Sequence, residues 1–396
     1  MKLAYYYHIP IRADKGTLYM PGFLAVFIDS LANEVDELIL IMHECNAKEE
    51  LEADCELVNK NIRWINLGVK TPSWHRALFH NKILKSVSKE LNSGCDAIIV
   101  RSPTPLAPYF KRYFRNIKVL FMVVGDYAEG ASHLHIKSIR DLAIQYYLQL
   151  NDWLFRREMK TTDILVNSPG LYRKYLPISK SINLIKTTTL SKKDIITRLD
   201  TCQAEVIQIL YTGRIDPAKG LFELIDACAK LKNSNVAIQL NIVGWEQDPD
   251  KSVEGALIKH GEKLGINENI IFHGRKKVGP ELNSYYRNAD IYVIPSYHEG
   301  FPRTIWEAMA NGLPVIATRV GGIPEYLEHL KDVILIEPKS SDEIYNAILM
   351  LIKDSQLRKE IIFHAREKVF ENTLEIQSSR LIQIVQSCLE DNLKGN

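Results

Sequence analysis

Hydrophobic positions along this chain come in short runs separated by polar or helix-periodic segments. In the first half, runs rich in β-branched and aromatic residues predict strands at KLAYYYHI, ELILIMH, IRWINL, DAIIVRS, KVLFMVVG, DILVNS and INLIKTT. In the second half, similar runs predict strands at VIQILYTG, AIQLNIVG, IIFHG, IYVIPS, PVIAT and VILIE. Segments of helical period lie between many of these strands, for example 74–91, 137–160, 219–232 and 302–312.

This alternation is typical of α/β proteins in which helices cover both faces of a parallel sheet. Two arrays in series predict two doubly wound, Rossmann-like domains that face each other across a cleft. We place them at residues 1–195 and 206–370, because the polar stretch 190–205 separates two predicted strands. We expect residues 371–396 to form a C-terminal helix that packs back toward the first domain. Ligands of such proteins bind at the carboxyl ends of the strands.

Composition adds a broad class. The chain has 396 residues, 46% hydrophobic and 25% charged, which is enough apolar material for two cores. Its six cysteines form no CxxC pair, so we expect a reducing compartment and neither a disulfide framework nor a zinc site. MKLAYYYHIP at the N-terminus is interpreted as a first strand, and no apolar run approaches the roughly 20 residues that span a bilayer. These features predict a cytoplasmic enzyme.

Positive charge is concentrated in the first half of the chain. Residues 61–190 contain 20 Lys+Arg against 8 Asp+Glu. Such a surface attracts anions, for example phospholipid headgroups or a phosphorylated acceptor, although it could also be only a solvated surface. The stretch YFKRYFR at 109–115 fits a face that lies on an anionic membrane, or else a partly buried helix whose cations reach solvent.

The richest candidate for chemistry is the stretch 290–314. A buried strand ends at Pro295, and a helix is predicted to begin near Pro302, where its free N–H groups could face an anion. Gly300 allows close approach of the backbone to a ligand. Glu299 in the loop could hold sugar hydroxyls, and Glu307 inside the helix could accept hydrogen bonds from a ribose. The alternative makes Glu299 a loop acid and Glu307 an exposed helix residue.

HEGFPRTIWEAMA at 298–310 resembles the Glu-x7-Glu motif of retaining GT-B glycosyltransferases of family 4, the bacterial polysaccharide type called group 1. YTGRIDPAKG at 211–220, FHGR at 272–275 and RVGGIPE at 319–325 match the same family in order and spacing. The resemblance covers about 206–370. It implies a GT-B fold, a UDP- or GDP-linked sugar as co-substrate, and no cofactor.

The resemblance also implies a role for each matching residue. Arg214 and Lys219 would clamp the diphosphate and neutralise the leaving group, and Glu299 would bind hydroxyls of the donor sugar. Glu307 would bind the ribose, and Arg275 would lie near the base. The remaining donor-binding residues would be Gly300, Phe301, Pro302, Thr304 and Ile305.

The first half departs from the family pattern. Many members have a histidine after the strand that corresponds to KVLFMVVG, whereas this chain has Gly125 and Asp126 there. Asp126 is our candidate for a catalytic residue facing the transferred sugar; the alternative is a turn acid. Asp248 and Asp250 match the spacing of a metal-binding pair, but we interpret them as a polar loop and expect no metal. Gly321 with its neighbour Gly322 is interpreted as a tight turn.

Together these features predict a hexosyl transferase that is metal-independent and retains anomeric configuration. We expect the acceptor to be a glycan or lipid-linked glycan in surface polysaccharide biosynthesis, with work at the inner face of the membrane and no nucleic acid partner. Two alternatives stay open: a nucleotide-sugar epimerase on the same fold, and a non-catalytic protein that binds sugar nucleotides. A binding protein has no need of a sugar-contacting Glu299, which argues against the second.

Overall fold

The computed structural model describes residues 1–46, 49–50, 53–91, 94–125, 139–186, 188–246 and 252–394. The chain forms two compact units, one of Met1–Thr187 with Glu375–Asn396 and the other of Thr188–Leu374. Residues 188–195, which the sequence analysis assigns to the first domain, belong to the second unit, because Leu190 packs in that unit's core. Most of the C-terminal helix belongs to the first unit.

The first unit is built on a parallel sheet of seven strands. The strands of the whole unit, in chain order, are β1 (Lys2–Tyr6), β2 (Arg12–Asp14), β3 (Thr17–Met20), β4 (Glu37–Glu44), β5 (Cys55–Glu56), β6 (Ile62–Val69), β7 (Ala97–Ser102), β8 (Lys118–Val123), β9 (Asp163–Val166) and β10 (Ser181–Leu184). The main sheet has the order β10–β9–β8–β7–β1–β4–β6, while β2, β3 and β5 form a small antiparallel sheet. Strand order reverses direction between β1 and β7, which are neighbours.

Helices of the first unit connect these strands. They are α1 (Gly22–Ala32), α2 (Ser73–Leu78), α3 (His80–Leu91), α4 (Phe110–Tyr113), α5 (Ile139–Met159) and α6 (Pro169–Tyr175). The predicted helix 74–91 is thus two helices, since α2 ends at Leu78 and α3 begins at His80. One core of the unit packs Leu84 and Val87 of α3 against Ile39 and Ile41 of β4.

The second unit has a parallel sheet of six strands. These are β11 (Ile207–Arg214), β12 (Ile238–Trp245), β13 (Ile270–Gly274), β14 (Ile291–Ile294), β15 (Val315–Thr318) and β16 (Ile334–Ile336). The sheet order is β13–β12–β11–β14–β15–β16, so strand order reverses between β11 and β14. Ligands of doubly wound sheets bind at this kind of reversal, outside the carboxyl ends of the strands.

Helices cover both faces of the second sheet. They are α7 (Leu221–Asn233), α8 (Val253–Lys263), α9 (Pro280–Asn288), α10 (Arg303–Ala310), α11 (Ile323–Tyr326), α12 (Ser341–Lys353) and α13 (Ser355–Phe370), followed by α14 (Leu374–Lys394). Ile209 of β11 packs in one core with Leu224 of α7, and the next residue, Leu210, packs in the other with Ile305 of α10. Because both faces are buried, the strands appear in the sequence as continuous apolar runs.

Both units therefore have the doubly wound α/β architecture that the sequence predicts. Among the helices in the described part of the chain, none is long and apolar enough to cross a membrane.

Candidate active site

The candidate site lies in the second unit, where strand order reverses. The loop after β11 holds the YTGRIDPAKG motif, and the loop after β14 holds Glu299 and Gly300. Since β11 and β14 are hydrogen-bonded neighbours, their two loops leave the sheet side by side. Two motifs that are some eighty residues apart in sequence thus meet at one edge of the sheet.

Backbone contacts hold the two loops together. The Asp216 carboxylate accepts a hydrogen bond from the Ala218 N–H at 2.8 Å and begins a short 3₁₀ turn at Pro217–Lys219. The Tyr297 N–H then donates to the Ala218 carbonyl at 2.8 Å. Gly220 has φ +67°, and a Cβ there would lie 2.2 Å from the carbonyl oxygen of Pro295. Only glycine fits this contact between the loops.

This arrangement brings Lys219 and Glu299 into direct contact. The Lys219 Nζ lies 2.6 Å from Glu299 Oε1, and the two side chains are 15% and 13% exposed. The sequence analysis gives the two residues separate roles, one at the diphosphate and one at the sugar. The structure shows that they form one charge pair, so a ligand that engages either side chain acts on both.

A second glycine contact fixes the backbone that carries Glu299. Gly321 has φ +54°, and a Cβ there would lie 1.7 Å from the Glu299 carbonyl oxygen. The next residue, Gly322, donates its N–H to the Gly300 carbonyl at 2.6 Å. The glycine pair therefore does more than allow a turn, since it supports the loop of the site. The RVGGIPE motif contains this signal, which we interpreted too narrowly.

The helix after the loop begins one residue later than predicted. Pro302 is the N-cap residue and Arg303 is the first residue of α10. The Phe301 ring stacks on Trp306 with centroids 4.8 Å apart. Ile305 is completely buried in the core, so its side chain is not available to a ligand. Thr304 lies in the first turn and is partly exposed.

Glu307 is buried, with only 8% of its surface exposed. This burial rules out the alternative that Glu307 is an exposed helix residue. Its Oε1 accepts a hydrogen bond from the Thr189 hydroxyl at 2.9 Å, and its Oε2 accepts one from the Tyr286 hydroxyl at 2.9 Å. Burial and the Glu307 charge raise the pKa of Tyr286 well above its usual value, so the phenol stays protonated and donates a hydrogen bond to the carboxylate. Thr189 and Tyr286 were missed in the sequence because nothing in its local pattern links them to Glu307.

The Tyr286 hydroxyl continues this network into the sheet. It lies 2.7 Å from Thr212 Oγ1 on β11, which in turn lies 3.1 Å from the Tyr292 hydroxyl on β14. Burial raises the pKa of Tyr292 as well. The Glu307 carboxylate therefore belongs to a buried network of hydroxyl groups near the point where strand order reverses. This network holds the carboxylate in one orientation.

Two arginines lie at the carboxyl ends of the strands beside the loops. Arg214 ends β11 and pairs in register with Trp245 at the end of β12. The Arg275 guanidinium lies over the Trp245 ring, 5.0 Å from its centroid. Trp245 is 41% exposed and was not among the predicted site residues, although IVGW in the sequence marks the end of its strand.

Some predicted residues fall outside the described part of the chain. Asp126 is one, and the pair Asp248 and Asp250 is another. Among the residues that the structure describes, no group of three or more His, Cys, Asp or Glu side chains is placed to hold a metal ion.

Most of the second unit is similar to a known protein family. Residues 202–368 match the family model of glycosyl transferases group 1. All site residues from Arg214 to Glu307 lie within this range. The predicted resemblance to group 1 is thereby confirmed.

Curated relatives agree with the family match. The chain is 34% identical to lipopolysaccharide 1,2-N-acetylglucosaminetransferase of Salmonella typhimurium over 41% of this chain and 43% of that protein. It is 25% identical to Protein CapJ of Staphylococcus aureus over 95% of this chain and 92% of that one. The chain spans less than half of the length of the first curated relatives that match it.

A solved structure shows the fold. Anabaena Alr3699/HepE, solved in complex with UDP, superposes with a TM-score of 0.70 at 17% identity, covering 98% of this chain and 100% of that one. The fold of the chain is the GT-B glycosyltransferase fold with two Rossmann-like units, as the sequence predicts.

Proposed function

We propose that this protein is a retaining glycosyltransferase of family 4 that moves a hexosyl group from a nucleoside diphosphate to an acceptor hydroxyl. The observation that carries the proposal is the Lys219–Glu299 pair, held at 2.6 Å where the second sheet reverses its strand order. A cation suits the diphosphate and a carboxylate suits sugar hydroxyls, so the pair matches the junction between the two halves of a sugar nucleotide. The group 1 match over 202–368 supports this assignment.

In the proposed reaction, the bond between the sugar C1 and the β-phosphate oxygen breaks. The acceptor oxygen bonds to C1 on the face that the phosphate leaves, and its proton passes to the departing phosphate oxygen. Lys219 and Arg214 stabilise the growing negative charge on the diphosphate, which makes them catalytic residues. Glu299 orients the sugar through its hydroxyls.

Other residues would bind the nucleotide. Glu307 accepts hydrogen bonds from the ribose, and its contacts with Thr189 and Tyr286 hold its carboxylate in place. Arg275 and Trp245 present a cation and a ring for the base. Backbone groups of the segment Gly300–Ile305 approach the sugar and phosphates, since the Ile305 side chain is itself buried in the core. We further propose Asp126 as the residue of the first unit that faces the transferred sugar.

For the donor and the acceptor, support comes from relatives. The UDP complex of Alr3699/HepE favours a uridine nucleotide over a guanosine one. The lipopolysaccharide transferase of Salmonella favours a glycan or lipid-linked glycan of the cell surface as acceptor. The basic character of residues 61–190 is consistent with work at the anionic inner face of a membrane.

A donor screen tests the assignment. Thermal shift against UDP- and GDP-linked sugars identifies the donor, and turnover of that donor is then measured with and without a panel of glycan acceptors. We expect donor consumption to depend on acceptor. Equal consumption without acceptor, with a rearranged sugar as product, would establish the epimerase instead.

Chelation tests the leaving-group chemistry. We propose that Arg214 and Lys219 replace a metal beside the diphosphate, so transfer should continue at its full rate in EDTA. Loss of transfer on chelation and recovery with manganese would show that a metal carries this role.

A further inference from the structure

The first unit has its own reversal of strand order, between β1 and β7. The residues at the carboxyl ends of β7, β1 and β4 meet there, because these three strands are adjacent in the sheet. Arg101 lies near the end of β7, His8 follows β1, and His43 lies near the end of β4. Arg76 comes from the short helix α2. We call these four residues the cation cluster, after its two arginines.

Arg76 is the more buried of the two arginines. The residue is only 6% exposed, yet its Nε and Nη1 atoms are buried without a hydrogen-bond partner among the described residues. The same holds for Arg101 Nε. His43 Nε2 also lacks a partner there, but it is the acceptor nitrogen of the ring, because His43 Nδ1 lies 3.1 Å from the Gly68 carbonyl and donates to it. Native proteins rarely leave such groups unpaired, since an unsatisfied buried donor costs about 1–3 kcal/mol and more when it is charged.

The two histidines of the cluster are neutral near pH 7, so its charge comes from the two arginines. Burial lowers the pKa of His8 to about 4, and so do the nearby charges of Arg76, Lys70, Arg101 and His43. Burial and Arg76 likewise lower the pKa of His43 to about 4. The carboxylate that acts on His43 in the opposite sense is Glu49, which already forms an ion pair with Lys70 at 3.1 Å.

Among the residues that the structure describes, the groups beside Arg76 and Arg101 are neutral. Its guanidinium lies beside the buried Tyr6 hydroxyl, which is 3.1 Å from Thr104 Oγ1. Arg101 donates to the Tyr5 hydroxyl at 3.3 Å and lies over the Tyr7 ring, 4.4 Å from its centroid. Phenols and rings orient the two guanidinium groups without neutralising them.

We propose that the cation cluster binds an oxyanion, a phosphoryl or carboxyl group carried by the acceptor. The Nε edge of a guanidinium matches two oxygens of either group, which is why arginine is common where such anions are recognised. The identification of the carrier as the acceptor rests on the proposed function, whereas the anion site itself does not.

A neighbouring pocket has room for the rest of such a molecule. It has a volume of about 530 Å³ and lies between β6 and the helices α2 and α3. His43 lines this pocket and belongs to the cation cluster, so the pocket borders the cluster. Its apolar lining comes from Leu67, Phe79 and Ile83, and its polar lining includes Asn66 and Thr71. This mixture suits a sugar or a lipid-linked body next to its anionic group.

The test is the melting temperature of the full chain in chloride, in inorganic phosphate and in acetate at equal ionic strength. A bound anion stabilises the folded state, and we expect phosphate or acetate to raise the melting temperature by about 2–4 °C. A larger effect of phosphate assigns the phosphoryl group, and a larger effect of acetate assigns the carboxyl group. No rise with either anion overturns the proposal.

Variants locate the anion. Arg76→Met should abolish the rise and melt in chloride no lower than the parent, because it removes an uncompensated buried charge. Arg157→Met is the matched control, since it removes an arginine whose side chain is 66% exposed in the same unit, and it should keep the full rise. Arg101→Met is the second variant, to be used if Arg76→Met does not fold. It should reduce the rise, because it removes the other arginine of the cluster.

The donor site must be separated from the cation cluster, because a diphosphate site can also take phosphate. Lys219→Ala should keep the rise. If the rise instead disappears in Lys219→Ala and persists in Arg76→Met, the anion binds at the donor site, which overturns this inference and leaves the proposed function standing.

Discussion

The two units present charge in opposite ways at the same topological place. In the second unit, Lys219 and Glu299 form a pair at 2.6 Å, and the surrounding backbone is fixed by close contacts at Gly220 and Gly321. In the first unit, Arg76 is as deeply buried as a core residue and has no carboxylate partner among the described residues.

This difference indicates which chemical groups a ligand of each unit must carry. The Lys219–Glu299 pair is neutral overall and can accept a ligand that carries both an anionic group and hydroxyl groups. The anionic group then contacts the lysine, and the hydroxyl groups contact the glutamate. An unbalanced cluster needs negative charge from its ligand, since a buried unpaired cation is costly. We therefore expect the second unit to discriminate by shape and hydroxyls, and the first by charge.

The largest expected effect comes from removing a cation of the donor site. Lys219→Ala and Arg214→Ala should each lower the turnover of sugar transfer by about 10²–10³, because a preorganised cation acts most strongly on the charge of the transition state. Donor affinity should fall less than turnover. Lys230→Ala, an exposed lysine paired with Asp342, is the control and should transfer at the parental rate. Steady-state kinetics that give Lys219→Ala the control's turnover would contradict this role.

Glu307 should have the next largest effect. Glu307→Ala should weaken nucleotide binding by about 1.5–3 kcal/mol, the range for a hydrogen bond to a charged group. Tyr286→Phe removes a hydroxyl that supports the carboxylate and leaves the carboxylate itself, so its nucleotide affinity should fall less. Calorimetric titration with UDP compares the two variants, and equal affinity in Glu307→Ala and the parent would exclude a ribose contact.

The loop contact at Gly321 gives a smaller effect that is mainly structural. Gly321→Ala places a methyl group 1.7 Å from the Glu299 carbonyl oxygen as well as straining a backbone at φ +54°. Gly265→Ala is strained in the same way at φ +69° but meets no atom within 4 Å in the described structure. We expect Gly265→Ala to cost about 1 kcal/mol of unfolding free energy and Gly321→Ala to cost more, with loss of transfer in Gly321→Ala alone. Equal free energies of unfolding in urea for the two variants would show that the Glu299 loop moves away from the added methyl group at no cost.

The smallest expected effect concerns the surface of the first unit. The 20 basic and 8 acidic residues of 61–190 predict binding to anionic vesicles at low salt that weakens as salt is added, since exposed charges are screened over about 10 Å at 0.1 M. Arg112→Ala and Arg115→Ala change exposed cations and should weaken binding, whereas the buried Arg76→Met should not. Vesicle sedimentation measures this, and an equal loss with Arg76→Met would mean that the two functions of positive charge are not separate.

Much of the fold follows from local pattern. The apolar runs predict the central strands of both sheets because both faces of these strands are buried. The family motifs direct attention to the loops after β11 and β14. The contact between Lys219 and Glu299 is different in kind, since it joins residues 80 positions apart and depends on the order of strands in the sheet. A single sequence carries no direct signal for that order.

The burial of charged residues is the second feature that the sequence does not predict. Arg76 lies in a predicted helix, and arginine in a helix is rarely fully buried, so the sequence gives no sign of its burial. Arg76 is buried in α2, a helix that ends at Leu78, whereas the continuous helical period of 74–91 does not predict a break there. Glu307 is similar, because its buried partners Thr189 and Tyr286 come from segments with no motif of their own.

The most direct test of the central claim is the stereochemistry of transfer. Proton NMR of the reaction mixture follows the anomeric signal of the sugar from the nucleotide donor to the glycan product. We predict that the sugar appears on the acceptor with the anomeric configuration that it had in the donor, and only when acceptor is present. A product of inverted configuration, or a free rearranged sugar formed without acceptor, would contradict the assignment of the Lys219–Glu299 site as the centre of a retaining transferase.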